Sequence, residues 1–186
     1  MNHTDHVNLI RGGVPAPGGT WADFGSGAGA FTLALADVVA GTSMPKGGAA
    51  IHSIDRDAGA LRVQADEMHR RFPQVTLETY AHDYTRSLDL PKLDGIVAAN
   101  TLHFHRDALR VLHLLKGYLK EGGRMLVVEY NIDVGNYAVP HPLPFSAWQT
   151  LAKEAGFGHT ELLATRPSRF LQEIYSAVSW GCSAES

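Results

Sequence analysis

Residues 21–31 read Trp-Ala-Asp-Phe-Gly-Ser-Gly-Ala-Gly-Ala-Phe (WADFGSGAGAF), and the fold is decided there. Thr20–Phe24 is a short apolar run of strand character. Ala30–Ala40 has the composition of a helix that Gly41 stops. Between them, Gly25, Gly27 and Gly29 permit the backbone angles of a tight strand-to-helix turn and let a ligand approach the main chain closely. The glycines also satisfy G-x-G-x-x-A, a dinucleotide pattern, so their spacing alone leaves the ligand open.

Working outward, strand and helix patterns alternate. Ala49–Asp55 is a second strand after the loop GTSMPKGG, and Asp57–Arg71 is a polar-faced helix stopped at Phe72 by Pro73. Val75–Tyr80 alternates as a third strand. Leu93–Ala99 is a continuous apolar run, as in a strand buried on both faces. Asp107–Tyr118 carries leucines at helical spacing, EGG ends it, and Arg124–Tyr130 is a fifth strand. A long proline-bearing loop follows, then a helix over Ser146–Ala155. Thr160–Thr165 and Phe170–Val178 are two strands whose short connection, RPS, makes them an antiparallel pair. This order predicts an α/β protein, a mostly parallel sheet with helices on both faces.

In domain terms, residues 1–19 read as an irregular arm because RGGVPAPGG crowds glycine and proline together. Residues 20–180 form a single domain and 181–186 a tail. A length of 186 residues suits one core. The formal net charge of −3 lacks the basic excess of a nucleic-acid binder and favours a small-molecule partner. No apolar run is long enough to span a bilayer. The N-terminus lacks a signal-peptide pattern and Cys182 has no internal partner, which together predict a cytoplasmic protein. Monomer and homodimer are both compatible with the sequence.

Asp23 precedes Gly25 by two residues, and here DFGSGAG resembles the first motif of class I S-adenosylmethionine (SAM)-dependent methyltransferases. The resemblance implies a Rossmann-like three-layer sandwich: a seven-stranded, mostly parallel sheet with an antiparallel terminal hairpin strand. SAM would be the cofactor, with S-adenosylhomocysteine (SAH) as its product. Asp23 would brace the turn formed by Gly25, Ser26, Gly27 and Gly29. Asp55, ending the second strand, can accept from both ribose hydroxyls. AHDY resembles the family's adenine corner: Asp83 would accept from the adenine amine, the Tyr84 backbone N–H would meet N1, and Arg56 or an apolar neighbour would cover a face. Asn100, in LDGIVAANTLHF, would offer its backbone carbonyl to the cofactor's amino group.

The methyl acceptor must then lie above the fourth and fifth strands. His103 is a candidate general base, since histidine titrates near neutrality. A helix-start histidine bonded to backbone is the other reading. Tyr130 is a second catalytic candidate. Glu129 and Asn131 share its strand end, and Asn131, His141 and Arg169 are candidate substrate contacts. Arg166 is the alternative arginine at the terminal turn, and His6 and Arg11 are the arm residues of interest. No metal site is expected, because His103 and His105 lack a third ligand at a recognisable spacing. The alternatives are an NAD-dependent oxidoreductase, a SAM-binding module without catalysis, and an RNA methyltransferase, which would need a basic stripe.

Overall fold

The computed structural model describes residues 1–41, 48–168 and 171–182. The elements, in chain order, are α1 (His3–Ile10), β1 (Gly19–Phe24), α2 (Ala30–Ala40), β2 (Ala49–Asp55), α3 (Ala58–Arg71), β3 (Val75–Ala81), β4 (Leu93–Ala99), α4 (Ala108–Tyr118), β5 (Leu119–Tyr130), α5 (Phe145–Glu154), β6 (Phe157–Pro167) and β7 (Glu173–Cys182). Most of the GTSMPKGG loop, Arg169, Phe170 and the last four residues of the tail lie outside the described residues.

All seven strands form one sheet in the order β3-β2-β1-β4-β5-β7-β6. The first five are parallel, whereas β7 runs antiparallel to β5 and β6 antiparallel to β7. Strand order reverses between β1 and β4, and a crevice opens at the carboxyl ends of strands at such a point. The glycine turn leaves β1 at that end.

Side-chain alternation splits the core into two layers. Trp21, Val97, Leu126 and Val128 face α1 and α2, while Ala22, Phe24, Ile96, Ala98 and Val127 face α4 and α5. Gly95 in the middle strand has a packing reason: a Cβ there would lie 2.1 Å from the Trp21 ring of the neighbouring strand. The helix starts follow capping chemistry. Asp57 accepts from the N–H groups of Gly59 and Ala60 at the start of α3, and Asp107 accepts from that of Arg110 at the start of α4.

Three expectations need correction. The arm is not irregular throughout, because His3–Ile10 is a helix. Asn2 accepts from the Asp5 N–H at 2.9 Å, Asp5 accepts from the Asn2 N–H at 3.0 Å, and Val7, Leu9 and Ile10 are buried. This reciprocal cap starts the helix before the glycine-proline stretch is reached. The fifth strand begins at Leu119, directly after α4, with a register shift opposite Leu93–Gly95 where the EGG segment bulges. The terminal hairpin is longer than its apolar runs suggest, because exposed positions such as His159 and Pro167 stay in the β6–β7 ladder. Among the described residues, no helix is long and apolar enough to cross a membrane.

Candidate active site

A cavity of about 400 Å³ opens beside the glycine turn at the carboxyl ends of β1, β2 and β4. Its wall includes Gly25, Asp55, Arg56, His82, Asp83, Tyr84, Asn100 and Thr101. The structure thus gathers six of the expected cofactor residues onto one surface. Ser26, Gly27 and Gly29 belong to the adjoining turn, and Asp23 is buried beneath it.

The three turn glycines all have positive φ, at 74°, 53° and 87°. At Gly25 a Cβ would come within 2.1 Å of Thr101 Oγ1, so the residue must be glycine on steric grounds as well. Gly27 differs: nothing lies within 4 Å of its Cβ position, so its main chain borders open space. Its N–H donates to Asp55 Oδ2 at 2.8 Å, and the Asp57 N–H donates to Oδ1 at 2.9 Å. Each Asp55 oxygen therefore retains acceptor capacity for a ligand's hydroxyl groups.

Beneath the turn runs a buried polar relay that sequence reasoning missed. The Ser26 and Ser53 hydroxyls are 2.7 Å apart, Ser53 donates to Gln64 Oε1 at 2.6 Å, and Gln64 donates to Thr32 Oγ1 at 2.8 Å. Thr32 in turn donates to Asp23 Oδ2 at 2.6 Å. Burial, opposed by the Thr32 bond and reinforced by the charge of Asp55, raises the Asp23 pKa to about 7. The relay ties β1, β2, α2 and α3 to the turn, so the turn's shape is held from below. Gln64 is fully buried on a helix that reads as polar-faced, and its partners are remote in sequence, so nothing local marks it.

At the adenine corner, Asp83 is exposed and accepts from both the N–H and the hydroxyl of Thr85. These bonds hold its pKa below the usual carboxylate value. The Tyr84 hydroxyl lies 3.0 Å from the Thr101 carbonyl, 2.7 Å from Thr101 Oγ1 and 2.5 Å from His105 Nε2. Burial pushes its pKa up to about 12, so it remains a neutral hydroxyl. Arg56 is exposed at the rim.

His103 is buried, with its ring beside Phe104 and Tyr130. Its Nδ1 lies 2.6 Å from Glu129 Oε2, and Glu129 is fully buried. The other Glu129 oxygen accepts from the N–H groups of Thr101, Leu102 and His103. An ionised carboxylate only accepts, so in this contact Nδ1 is the donor and, in the neutral ring, Nε2 is the acceptor nitrogen. The reading of His103 as a histidine bonded to backbone is corrected, since its ring partner is a carboxylate. Glu129 and Tyr130 leave β5 on opposite faces, Tyr130 toward the α1–α2 side. Burial raises the Tyr130 pKa, as does the nearby Glu129.

Among the expected acceptor contacts, Asn131 has both ends of its amide engaged by protein, donating to Glu173 Oε1 and accepting from the Phe145 N–H. It clamps the two ends of the proline-bearing loop. His141 is exposed, and its backbone N–H donates to the His103 carbonyl at 3.0 Å. Arg169 lies outside the described residues. Arg166 pairs with Asp5, and Arg11 faces Asp37 at 3.8 Å, so these arm contacts join α1 to β6 and α2. His6 packs against Phe31, in the first turn after the glycines.

The methyltransferase domain family matches residues 22–125, from the middle of β1 into β5. The chain belongs to that family. It is a class I SAM-dependent methyltransferase, and its seven-stranded, mostly parallel sheet with an antiparallel terminal hairpin is the one that class implies. The match favours this reading over the NAD-dependent oxidoreductase. No curated protein matches the sequence. Solved structures share the fold at low identity. The YcgJ protein of Bacillus subtilis aligns with a TM-score of 0.74 at 12% identity, over 98% of this chain and 100% of its own. A SAM-dependent methyltransferase from Aquifex aeolicus aligns at 0.69 and 16%, over 94% of this chain and 88% of that one. An arsenic(III) SAM methyltransferase from Chlamydomonas reinhardtii aligns at 0.65 and 16%, over 89% and 64% respectively. The methyltransferase family implies SAM as the cofactor, and the crevice suits it: Gly27 borders open space and Asp55 has acceptor capacity to spare.

Proposed function

We propose that this methyltransferase binds SAM in the crevice between Asp55 and Asn100 and methylates a small-molecule acceptor that must give up a proton. When bound, SAM supplies an electrophilic methyl group on its sulfonium. Asp55 grips the ribose hydroxyls, Asp83 and the Tyr84 N–H read the adenine edge, and Arg56 covers its face. Asp23 and the turn Gly25–Gly29 hold the methionine end, and the Asn100 carbonyl meets its amino group.

His103 Nε2 takes the acceptor's proton, and Glu129 keeps that nitrogen basic by fixing the proton on Nδ1. This dyad is the observation that carries the reading beyond cofactor binding. A buried base with a buried carboxylate partner stabilises the imidazolium as it forms, which suits an acceptor that is not already anionic. Tyr130, kept protonated by burial, can donate to the acceptor. The loop bearing His141 covers the base, and Asn131 stands at the start of that loop; Arg169 is kept as a proposed acceptor contact on its sequence position alone. The cytoplasm is the proposed location.

Asp55→Ala tests the cofactor assignment. Loss of its bonds to the ribose should cost about 1.5–3 kcal/mol, a roughly 10- to 150-fold rise in the Kd for SAH by calorimetry. An unchanged Kd removes Asp55 from the site. Incubating the enzyme with SAM and fractionated metabolites, then following methyl incorporation by mass spectrometry, tests transfer itself. SAH binding without any transfer would leave a SAM-binding module.

A further inference from the structure

Six large apolar side chains are exposed among the described residues. Met1, Val63 and Leu162 lie on the N-terminus, α3 and β6. The other three, Phe104, Val134 and Tyr137, belong to the two segments that meet at the candidate base. A single exposed apolar residue is ordinary on a protein surface, but a group of them beside a site marks a surface that something covers.

Phe104 is 53% exposed although its ring centroid lies 4.3 Å from that of His103, and it forms part of the cofactor cavity's wall. It therefore stands at the junction of crevice and base. Val134 and Tyr137 are 81% and 99% exposed in the proline-bearing loop. That loop is firmly built. The Tyr175 hydroxyl donates to the Leu143 carbonyl at 2.7 Å, Asn136 Oδ1 accepts from the N–H groups of Ala138 and Val139, and Val139 is buried. Its tip folds back on the residues before His141. The Asn136 N–H donates to the Val139 carbonyl at 3.0 Å, and a Cβ on Gly135 would lie 2.8 Å from the Pro140 carbonyl. The next residue, His141, bonds the His103 carbonyl through its N–H. A fixed turn beside the base thus presents a valine and a tyrosine while burying little of either.

We infer that the acceptor is a planar phenol, an apolar ring bearing a hydroxyl, whose ring Phe104, Val134 and Tyr137 cover while its hydroxyl meets His103 Nε2. The inference rests on the methyltransferase reading above and names the substrate class of that site. Two chemical arguments converge on it. The imidazole is flanked by the Phe104 and Tyr130 rings, and aromatic rings attract one another beyond the area they bury. A phenol has a pKa of about 10, as in the tyrosine side chain, so at neutral pH it keeps its proton and needs a base. A carboxylic acid arrives already ionised and needs none, whereas an aliphatic alcohol yields its proton to an imidazole far less readily. In the transfer, the phenolic proton passes to His103 Nε2 and the oxygen bonds the methyl carbon. The carbon–sulfur bond breaks with its electron pair left on sulfur, giving an aryl methyl ether and SAH.

Naphthol is the probe, with cyclohexanol and glycerol as comparison acceptors. Naphthol should bind the SAH-loaded protein by calorimetry and be methylated with SAM, and neither comparison should be. Tyr137→Ser and Val134→Ser should melt with the parent, because exposed side chains contribute little to stability, and should bind SAH like the parent. Each should nevertheless raise the KM for naphthol about threefold to tenfold with kcat kept, through lost apolar contact. Phe104→Leu, which loses the ring, should raise KM similarly, and Phe104→Tyr should restore it.

Parent-like KM in Tyr137→Ser and Val134→Ser overturns the role of the loop tip, and parent-like KM in Phe104→Leu overturns that of Phe104. Transfer to cyclohexanol or glycerol in preference to naphthol overturns the substrate class. So does a protein that binds SAH but neither binds nor methylates naphthol. Failure of the parent to bind SAH brings down the cofactor reading, and this inference with it, and that measurement alone tells the two failures apart.

Discussion

Exchanging His103 for alanine should lower the methyl-transfer rate constant by about 10²–10⁴-fold, the span of a lost general base, while SAH affinity stays near the parent value. The separation follows from position. His103 is not part of the cavity wall assigned to the cofactor, and its bonded partner is Glu129. Glu129→Gln should come close to the same loss without removing the imidazole. A glutamine can still accept the three backbone N–H groups with its oxygen, but its amide nitrogen then faces Nδ1 as a donor. The ring must present an unprotonated Nδ1 to that donor, which moves the proton to Nε2 and leaves no base there. Circular dichroism of both variants separates this from misfolding, since Glu129 also anchors three N–H groups. If His103→Ala turns over like the parent, the dyad has no part in catalysis.

The second large effect concerns stability. Asp23 has its pKa raised from the usual 3.8 to about 7 in the folded chain. The folded form therefore holds the proton more tightly than the unfolded chain, and stability declines as pH rises from about 4 to about 7. A span of roughly three pH units corresponds to about 4 kcal/mol. Asn at position 23 carries no titrating group and can still accept from Thr32. Asp23→Asn should therefore flatten the fall in melting temperature between pH 5 and pH 8 and make the ligand-free protein more stable at the alkaline end. It should also weaken SAM binding, because the charge lost sits under the turn that holds the cationic end of the cofactor. Stability given up for function in this way is common at binding sites. Melting curves that run parallel for the parent and Asp23→Asn across this range would show that burial of the carboxyl carries no such cost.

The glycine turn, the strand–helix alternation and the terminal hairpin were legible because they are local. Each rests on residues within a few positions of one another: Gly25–Gly29 for the turn, the Leu93–Ala99 run for a buried strand, Asp57 and Asp107 for helix starts. The N-terminal helix was overlooked because the glycines and prolines of 12–19 dominate that stretch, although the Asn2–Asp5 cap lies upstream of them. The site was legible only where a motif names its residues. Nothing in the sequence pairs His103 with Glu129, which are 26 positions apart. They meet because β4 and β5 are parallel neighbours, with Ala99 opposite Val128, so the residues just beyond one strand lie over the end of the other. The relay from Asp23 to Ser26 was hidden for the same reason, since it draws on four elements.

A structure of the protein with SAH shows where the cofactor sits. The nucleoside should lodge against Gly27 with its ribose on the Asp55 carboxylate, and the sulfur should lie on the side of the crevice that leads to His103. A crevice left vacant at saturating SAH, or a ligand bound away from Asp55, would contradict this placement.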